Sequence, residues 1–488
     1  MTDFGDELSQ FLAGRGMSLR AAARQAGCSA GYLSNVAHGR KPLTPSVAAR
    51  LDRALGTGDK FAAYALNTRQ DKAVIPGSAL EPAWRGSVPR ESRRHRDAAA
   101  RAGDTPNVSR ESALPAPWAR TIAEAQRDAA RLWSYDVDDR GTPADGAPSA
   151  ASAVLSWLTA PPDRTAAQAT GNAEVFPQDV RRMQAVRVRL KDVDNAHGGG
   201  AAFPLAAAYL RDEAAALLSG CCDEGTGAML TAAIATSELD AGWFAYDAGD
   251  HHLARLYLIH ALRMAHASGS RLLGARIICA LSHQALHVGQ VSLSVDLARA
   301  ARAGVSLEAT PRAVAMLAAM EAMAHAAARD VARCEQALDD AEQALSHATA
   351  DDGDPDWLDF DDGGLLGHAA RASRDLAAVG LAPPDRARQS ALQSVELCRS
   401  GHSRTRAQRH AILATACVQA GDIGHAAAIG EMIVADAWQL RSRHVQGDIA
   451  GLFASIEPAR SREAADFTAQ AREFLAARGH PPRARISQ

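Results

Sequence analysis

The sequence predicts an all-α protein. It has a small N-terminal domain of five helices containing a helix-turn-helix, a flexible linker, and a C-terminal α-solenoid of stacked helical hairpins. Three observations predict it. Ala, Leu and Arg dominate the 488 residues, and all three favour helix. Residues 18–41 carry the start and stop signals of two short helices around Gly27. From about residue 200, helix follows helix with a turn recurring at intervals of 40 residues, the signature of stacked hairpins.

The head occupies residues 1–66. Ser18 caps a helix running to about Gln25, and Gly27 supplies the turn. Ser29 caps a second helix to about His38, which Gly39 ends. A hydroxyl at the N-cap satisfies orphan amides, and glycine takes the left-handed C-terminal conformation at little cost. Ala22, Ala26, Leu33 and Val36 fit one buried face, leaving the second helix free to lie in a DNA major groove. Phe4, Leu8, Phe11 and Leu12 make residues 3–14 an amphipathic first helix. Thr44 and Pro45 start a fourth, lined by Val47, Leu51 and Leu55. Residues 59–66 add a fifth, with Phe61 and Leu66 inward.

The run Tyr32-Leu33-Ser34-Asn35-Val36-Ala37-His38-Gly39-Arg40-Lys41-Pro42 resembles the recognition-helix tract of the Xre/Cro-type regulators of bacteria. The resemblance implies that Ala30, Gly31, Tyr32, Ser34 and Asn35 face the groove. Tyr32 and Asn35 are then placed for base edges, asparagine being able to pair bidentately with adenine. Arg20, Ser29, Arg40 and Lys41 would hold phosphates and set register. The plain alternative packs Tyr32 in the core and leaves Arg40 and Lys41 in a solvated loop. Two positions depart from the family pattern. Leu19 stands where a phosphate-contacting Gln is common, and Ala22 where leucine is usual. One module makes few contacts, so useful specificity needs a dimer on two half-sites.

Residues 1–120 carry 18 Lys and Arg against 11 Asp and Glu, leaving the rest of the chain, at a total of −3, acidic. A basic end on an acidic body suits a DNA-binding head. Residues 67–117 read as linker, punctuated by Pro and Gly, with Arg90, Arg93, Arg94, His95, Arg96 and Arg101 clustered in it. Residues 118–200 read as a helical adaptor, with His197-Gly198-Gly199-Gly200 as a loop lacking the following Lys and Ser or Thr of a phosphate cradle.

The body, expected to regulate and dimerise, spans residues 201–480. Trp243, Phe244, Ala245, Tyr246 and Asp247 precede a turn at Gly249-Asp250, and a second helix carries Ala254 and Ala261. With Gly242 where two helices approach, this unit resembles a tetratricopeptide repeat. Comparable turns fall at Gly289-Gln290, Arg329-Asp330 and Gly421-Asp422. The 92 residues between the last two leave room for two units and an insertion. In tetratricopeptide arrays the first helix of each hairpin lines a concave groove. By that resemblance Trp243, Tyr246, Asp247, Arg276, His283, His287, Met316, Met323, Gln408, Thr415 and Gln419 line an effector groove. Aromatics, methionines and a few polar groups suit a peptide or small organic ligand.

The insertion, residues 351–364, is rich in carboxylates, but Pro355 breaks the calcium-loop pattern. It reads instead as a loop carrying Trp357 and Phe360 that closes a groove or pairs with arginine. His283 and His287 lie four apart without the Glu of a HExxH site, and no CxxC spacing occurs among the seven cysteines. No cofactor or metal is expected. No Ser-His-Asp set or acid–base carboxylate pair can be placed, so the chain reads as a non-enzyme. The absence of an apolar signal core or membrane-length run makes the cytoplasm the expected location, on the nucleoid when bound to DNA, with no membrane partner.

An Xre-type head, a tether and a tetratricopeptide-like body together resemble the peptide-sensing regulators of low-GC bacteria. Residues 242–262, 273–287, 355–370 and 402–412 are more similar to large helical regulators of antibiotic-producing actinobacteria. That resemblance implies a homodimeric, DNA-binding transcriptional regulator of development or specialised metabolism. The competing reading is a protein-interaction scaffold with a weak or vestigial head.

Overall fold

The computed structural model describes residues 8, 11–15, 17–25, 33, 36–38, 48, 51–52, 55, 57–58, 60–61, 118–134, 149–163, 173–305, 309–459 and 461–479. The chain divides into two compact units, Met1–Asn107 and Val108–Gln488. The described residues are almost wholly helical. The sole strand-like feature among them is an isolated bridge, Glu174 to Cys221, and no helix among them is long and apolar enough to cross a membrane.

In the first unit, helix α1 (Leu19–Gln25) begins at Ser18, whose hydroxyl accepts the Ala21 amide at 3.3 Å. Leu8, Leu12, Ala22, Ala23, Leu33, Val36, Ala48, Leu51, Leu55 and Phe61 form one core. Phe11 packs edge-on against Phe61, and Leu19 is partly buried beside the same core. The small Ala22 is thus surrounded by leucines and a phenylalanine. Asp52, 3 % exposed, accepts the Phe61 amide at 3.0 Å and so satisfies a buried donor. Ala26, Phe4, Val47 and Leu66 lie outside the described residues.

The second unit opens with α2 (Ile122–Trp133), α3 (Ala150–Thr159) and α4 (Pro177–His197), then α5 (Gly199–Tyr209), a π-turn and the short α6 (Ala215–Leu218). Six hairpins follow. They are α7 (Glu224–Asp247) with α8 (His251–Ala267), α9 (Arg271–His287) with α10 (Val291–Ala303), and α11 (Pro311–Ala327) with α12 (Val331–Ser346). Then come α13 (Asp362–Ala377) with α14 (Pro384–Glu396), α15 (Ser403–Gln419) with α16 (Ile423–Ala437), and α17 (Arg443–Ile456) with α18 (Ala465–Ala477). Each first helix touches the next first helix, the arrangement of a solenoid.

The recurring turn has a single cause. Gly249, Gly289 and Gly421 all take positive φ (88°, 80° and 82°), and Arg329 takes the same conformation at 61°. At three of these four turns the next residue then caps the second helix, Gln290 making no side-chain cap. Asp250, Asp330 and Asp422 accept the amides of Leu253, Arg333 and His425. A left-handed residue followed by an Asp cap reverses the chain in the fewest residues.

Helices α2 and α3 cover the outer side of the first hairpins. Arg263 of α8 donates to the Ala119 carbonyl at 2.7 Å and forks onto Asp163 at 2.8 and 2.9 Å. Trp157 is fully buried in a slot left by two glycines: a Cβ at Gly274 or Gly304 would lie 2.4 or 2.3 Å from its ring. Arg271 closes the slot, 3.7 Å over the indole.

The solenoid closes on itself. His197 ends α4, and Gly198 turns the chain at φ 88°. Gly199 and Gly200 are therefore the first turn of α5, where the sequence suggests a loop. The missing side chains of Gly198 and Gly200 admit residues 441–442, and that of Gly199 admits the end of α7 at Phe244 and Asp247. Arg441 donates its amide to the His197 carbonyl at 2.7 Å and accepts the Gly200 amide at 2.8 Å. Asp247, at the end of α7, accepts the Gly199 amide at 2.8 Å and the Ser442 hydroxyl at 2.7 Å. Arg404 of α15 reaches Asp194 of α4 at 2.7 Å. The start of the sixth hairpin thus meets the end of α7.

Candidate functional site

Closure forms a half-open cavity of about 470 Å³. Its wall is built from the first helices of the hairpins, joined by α4 and the insertion. Helix α7 contributes Leu239, Asp240, Trp243, Phe244, Tyr246 and Asp247, and α9 contributes Arg276, His283 and His287. Met316, Met320 and Met323 of α11 recur at helical spacing and form an apolar wall. His368, Arg371 and Arg374 come from α13, and Arg404, Gln408, Arg409 and Ile412 from α15. His444 and Asp448 of α17, Lys191 and Asp194 of α4, and Trp357 and Phe360 of the insertion complete it. Arg312 holds the insertion in place, bonding Asp354 and the Phe360 carbonyl, each at 2.7 Å.

At the seam, Tyr246 stands amid a cluster of histidines. Its ring lies 5.2–5.5 Å from those of His251, His283, His287 and His444. Burial pushes the imidazoles down, helped by nearby cations. His287, His368 and His444 fall to about 4, and His283 lies well below its usual range beside Arg371. Burial acts oppositely on two carboxyls, raising Asp194 and Asp448 to about 6 against the pull of neighbouring arginines. Among the described residues no group of His, Cys, Asp and Glu is arranged to hold a metal ion.

These shifts predict a pH dependence. A histidine with a depressed folded-state pKa contributes stability above about 6.5 and loses it as pH falls through about 4. The two raised carboxyls act the other way, gaining on acidification below about 6. Four cavity histidines outweigh two carboxyls, so the urea midpoint of the body falls between pH 7 and pH 5. Each fully buried histidine contributes at most about 1.4 kcal/mol per pH unit. The paired substitution His368→Gln and His444→Gln flattens the fall, and an unchanged slope refutes the assignment.

Of the residues expected in the groove, the structure brings together Trp243, Tyr246, Asp247, Arg276, His283, His287, Met316, Met323 and Gln408. It leaves out Thr415 and Gln419. Both lie in the last turns of α15, past the cavity. The Thr415 hydroxyl bonds the Ala411 carbonyl of its own helix, and Gln419 donates to the Arg374 carbonyl of α13. The α13 face was legible in principle, since Gly364, Gly367, His368 and Arg371 repeat at helical spacing. The insertion hid it by displacing the repeat register. The contributions of α4 and α17 carry no local signal, because only closure brings them to the cavity.

In the first unit, Arg20 is exposed on α1, while Leu33 and Val36 turn into the core. Ser29, Ala30, Gly31, Tyr32, Ser34, Asn35, Arg40 and Lys41 lie outside the described residues. Residues 3–62 match the family model of a helix-turn-helix domain. The chain thus carries a helix-turn-helix head, and that head supports a DNA-binding regulator. No curated protein matches the chain. The matched span takes in the whole described core of the head, from Leu8 to Phe61. Ala22 and Leu19 are accommodated within that core, one buried and one partly buried.

Proposed function

We propose that the protein is a sequence-specific transcriptional regulator that acts as a homodimer in the cytoplasm. The helix-turn-helix head binds operator DNA, and an effector binds in the cavity of the helical body. The observation that carries this reading is a helix-turn-helix head in one chain with a half-open cavity walled by six first helices. An effector that favours one state of the closure would shift the population of body conformations and the spacing of two heads. Two heads are needed because one module covers too few base pairs for specificity. The resemblance to tetratricopeptide-bearing regulators of actinobacteria supports control of development or specialised metabolism. A half-open cavity lined by methionines, aromatics and arginines suits a small organic molecule or the end of a peptide.

The test is a mobility shift on sites recovered by mapping bound DNA in cells. Tyr32→Ala or Asn35→Ala lowers operator affinity about tenfold, the worth of a base-edge contact. The urea midpoint of the body stays unchanged. Arg20→Ala weakens binding uniformly across sequences and reduces its salt dependence. Unaltered shifts in both Tyr32→Ala and Asn35→Ala refute the recognition-helix assignment. Absence of any enriched site in cells favours the scaffold reading.

A further inference from the structure

We infer that the cavity binds a small amphipathic monocarboxylic acid, its carboxylate between Arg276 and Arg371 and its apolar body against the methionine wall. The inference rests on the reading of this cavity as the effector site. It begins from an excess of hydrogen-bond donors. Buried and without a partner are Arg276 Nη1, Arg371 Nε, Arg404 Nε, Trp243 Nε1 and His283 Nδ1, and the Tyr246 hydroxyl, beside Arg371, keeps its O–H to donate. Buried polar groups are normally satisfied, so five orphans in one cavity describe what a ligand must supply, which is mainly acceptors.

The orphans are contiguous. Arg276 lies over the Trp243 ring at 5.6 Å, and Trp243 meets His283 and Tyr246 at 5.2 and 5.4 Å. Arg371 Nη1 stands 3.5 Å from His283 Nε2. Neither Arg276 nor Arg371 has an ion-pair partner among the described residues, whereas the carboxylates around them are largely engaged. Asp194 holds Arg404 and Asp240 holds Arg187. Asp247 takes Gly199 and Ser442, and Asp359 takes Arg399. Asp448 faces Arg371, Arg374 and His287 without forming an ion pair, and burial weakens its acidity. Two planar guanidiniums with N–H and O–H donors between them match the geometry of a carboxylate. The residual charge of Asp448 disfavours a dianion such as a phosphate ester. Opposite the donors, Met316, Met320, Met323, Trp357, Phe360 and Ile412 offer an apolar, adaptable surface. The volume suits a single small molecule.

The test uses the full chain with octanoate, decanoate, phenylbutyrate and indolebutyrate, each beside its primary amide, and inorganic phosphate alone. Binding is read by thermal unfolding and by tryptophan emission, since Trp243 and Trp357 line the cavity. At least one acid raises Tm and binds about tenfold more tightly than its amide. Arg276→Gln and Arg371→Gln each remove about that factor for the acid and leave the amide unaffected. Arg276→Met is a second control. Removing an uncompensated buried cation leaves the ligand-free Tm equal or higher, so a loss of acid binding cannot be blamed on misfolding. Equal binding of acid and amide overturns the inference. So do unaltered affinity in the arginine variants, binding of phosphate in place of the acids, and failure of every acid at about 1 mM. Operator affinity is measured in the same samples. An acid that binds without changing it keeps the ligand class and refutes the sensor reading. A regulator that responds to the amides as well as to the acids does the reverse.

Discussion

Glu238→Ala destabilises the body by about 3–5 kcal/mol, the cost of leaving a buried charge without its partner. Glu238 is fully buried in α7. Its carboxylate accepts Trp133 Nε1–H at 2.9 Å and His260 Nδ1–H at 2.8 Å. The far nitrogen of His260 faces the Ala125 carbonyl at 2.9 Å. Both neighbours of the ring are acceptors, so both nitrogens must carry protons and the imidazole is a cation. Its pKa is accordingly raised above the usual histidine value, the Glu238 charge outweighing strong desolvation. A raised folded-state pKa contributes stability below the ordinary histidine range and loses it as pH rises through the raised value. Glu238→Gln keeps the shape and the Trp133 bond but removes the counter-charge. It therefore costs less than alanine and removes this pH dependence. The urea midpoint across pH 5 to 9 checks both, and a wild-type midpoint in Glu238→Ala refutes the pair. The network fastens α2 to the first hairpin, so loss of protection from hydrogen exchange falls first on residues 122–133.

Gly199→Ala opens the ring and costs about 3 kcal/mol or more, the range for forcing a backbone apart at an overpacked position. A Cβ there would sit 2.3 Å from the Phe244 carbonyl and 2.8 Å from Asp247 Cβ. Either α5 or the end of α7 must retreat, and Asp247 then loses its grip on Ser442. Hydrogen exchange accelerates at 197–201 and 441–449, while α9 to α12 stay protected. Gly447→Ala is the matched control. It lies in α17 with nothing within 4 Å of the added methyl, so the helix gains up to about 1 kcal/mol from the better propensity. Equal midpoints for the Gly199 and Gly447 variants refute the closure as a stabilising contact.

Much of the fold was legible locally. Ser18 marks a helix start because a hydroxyl caps whatever tertiary setting surrounds it. Gly249, Gly289 and Gly421 mark hairpin turns because a left-handed residue is needed at each. Within the candidate site, Trp243, Tyr246, His283 and Met316 were legible because each lies on the inner face of a first helix, where the repeat spacing reaches. Thr415 and Gln419 failed by the same rule, because the cavity is shorter than the helix that borders it. His444, Asp448 and Asp194 gave no signal, since they join the site only through contacts between elements far apart in sequence.

Local chemistry in the chain therefore determined the helices, their turns, the hairpin repeat and the presence of a helix-turn-helix head. Each of these is set by hydrogen bonding and side-chain spacing within a few residues. Tertiary structure alone decided that the solenoid closes, that three successive residues, Gly198, Gly199 and Gly200, serve that closure, and that the groove becomes a cavity with unpartnered donors. Curvature accumulates over six hairpins before the ends can meet, and no short stretch of sequence encodes that sum.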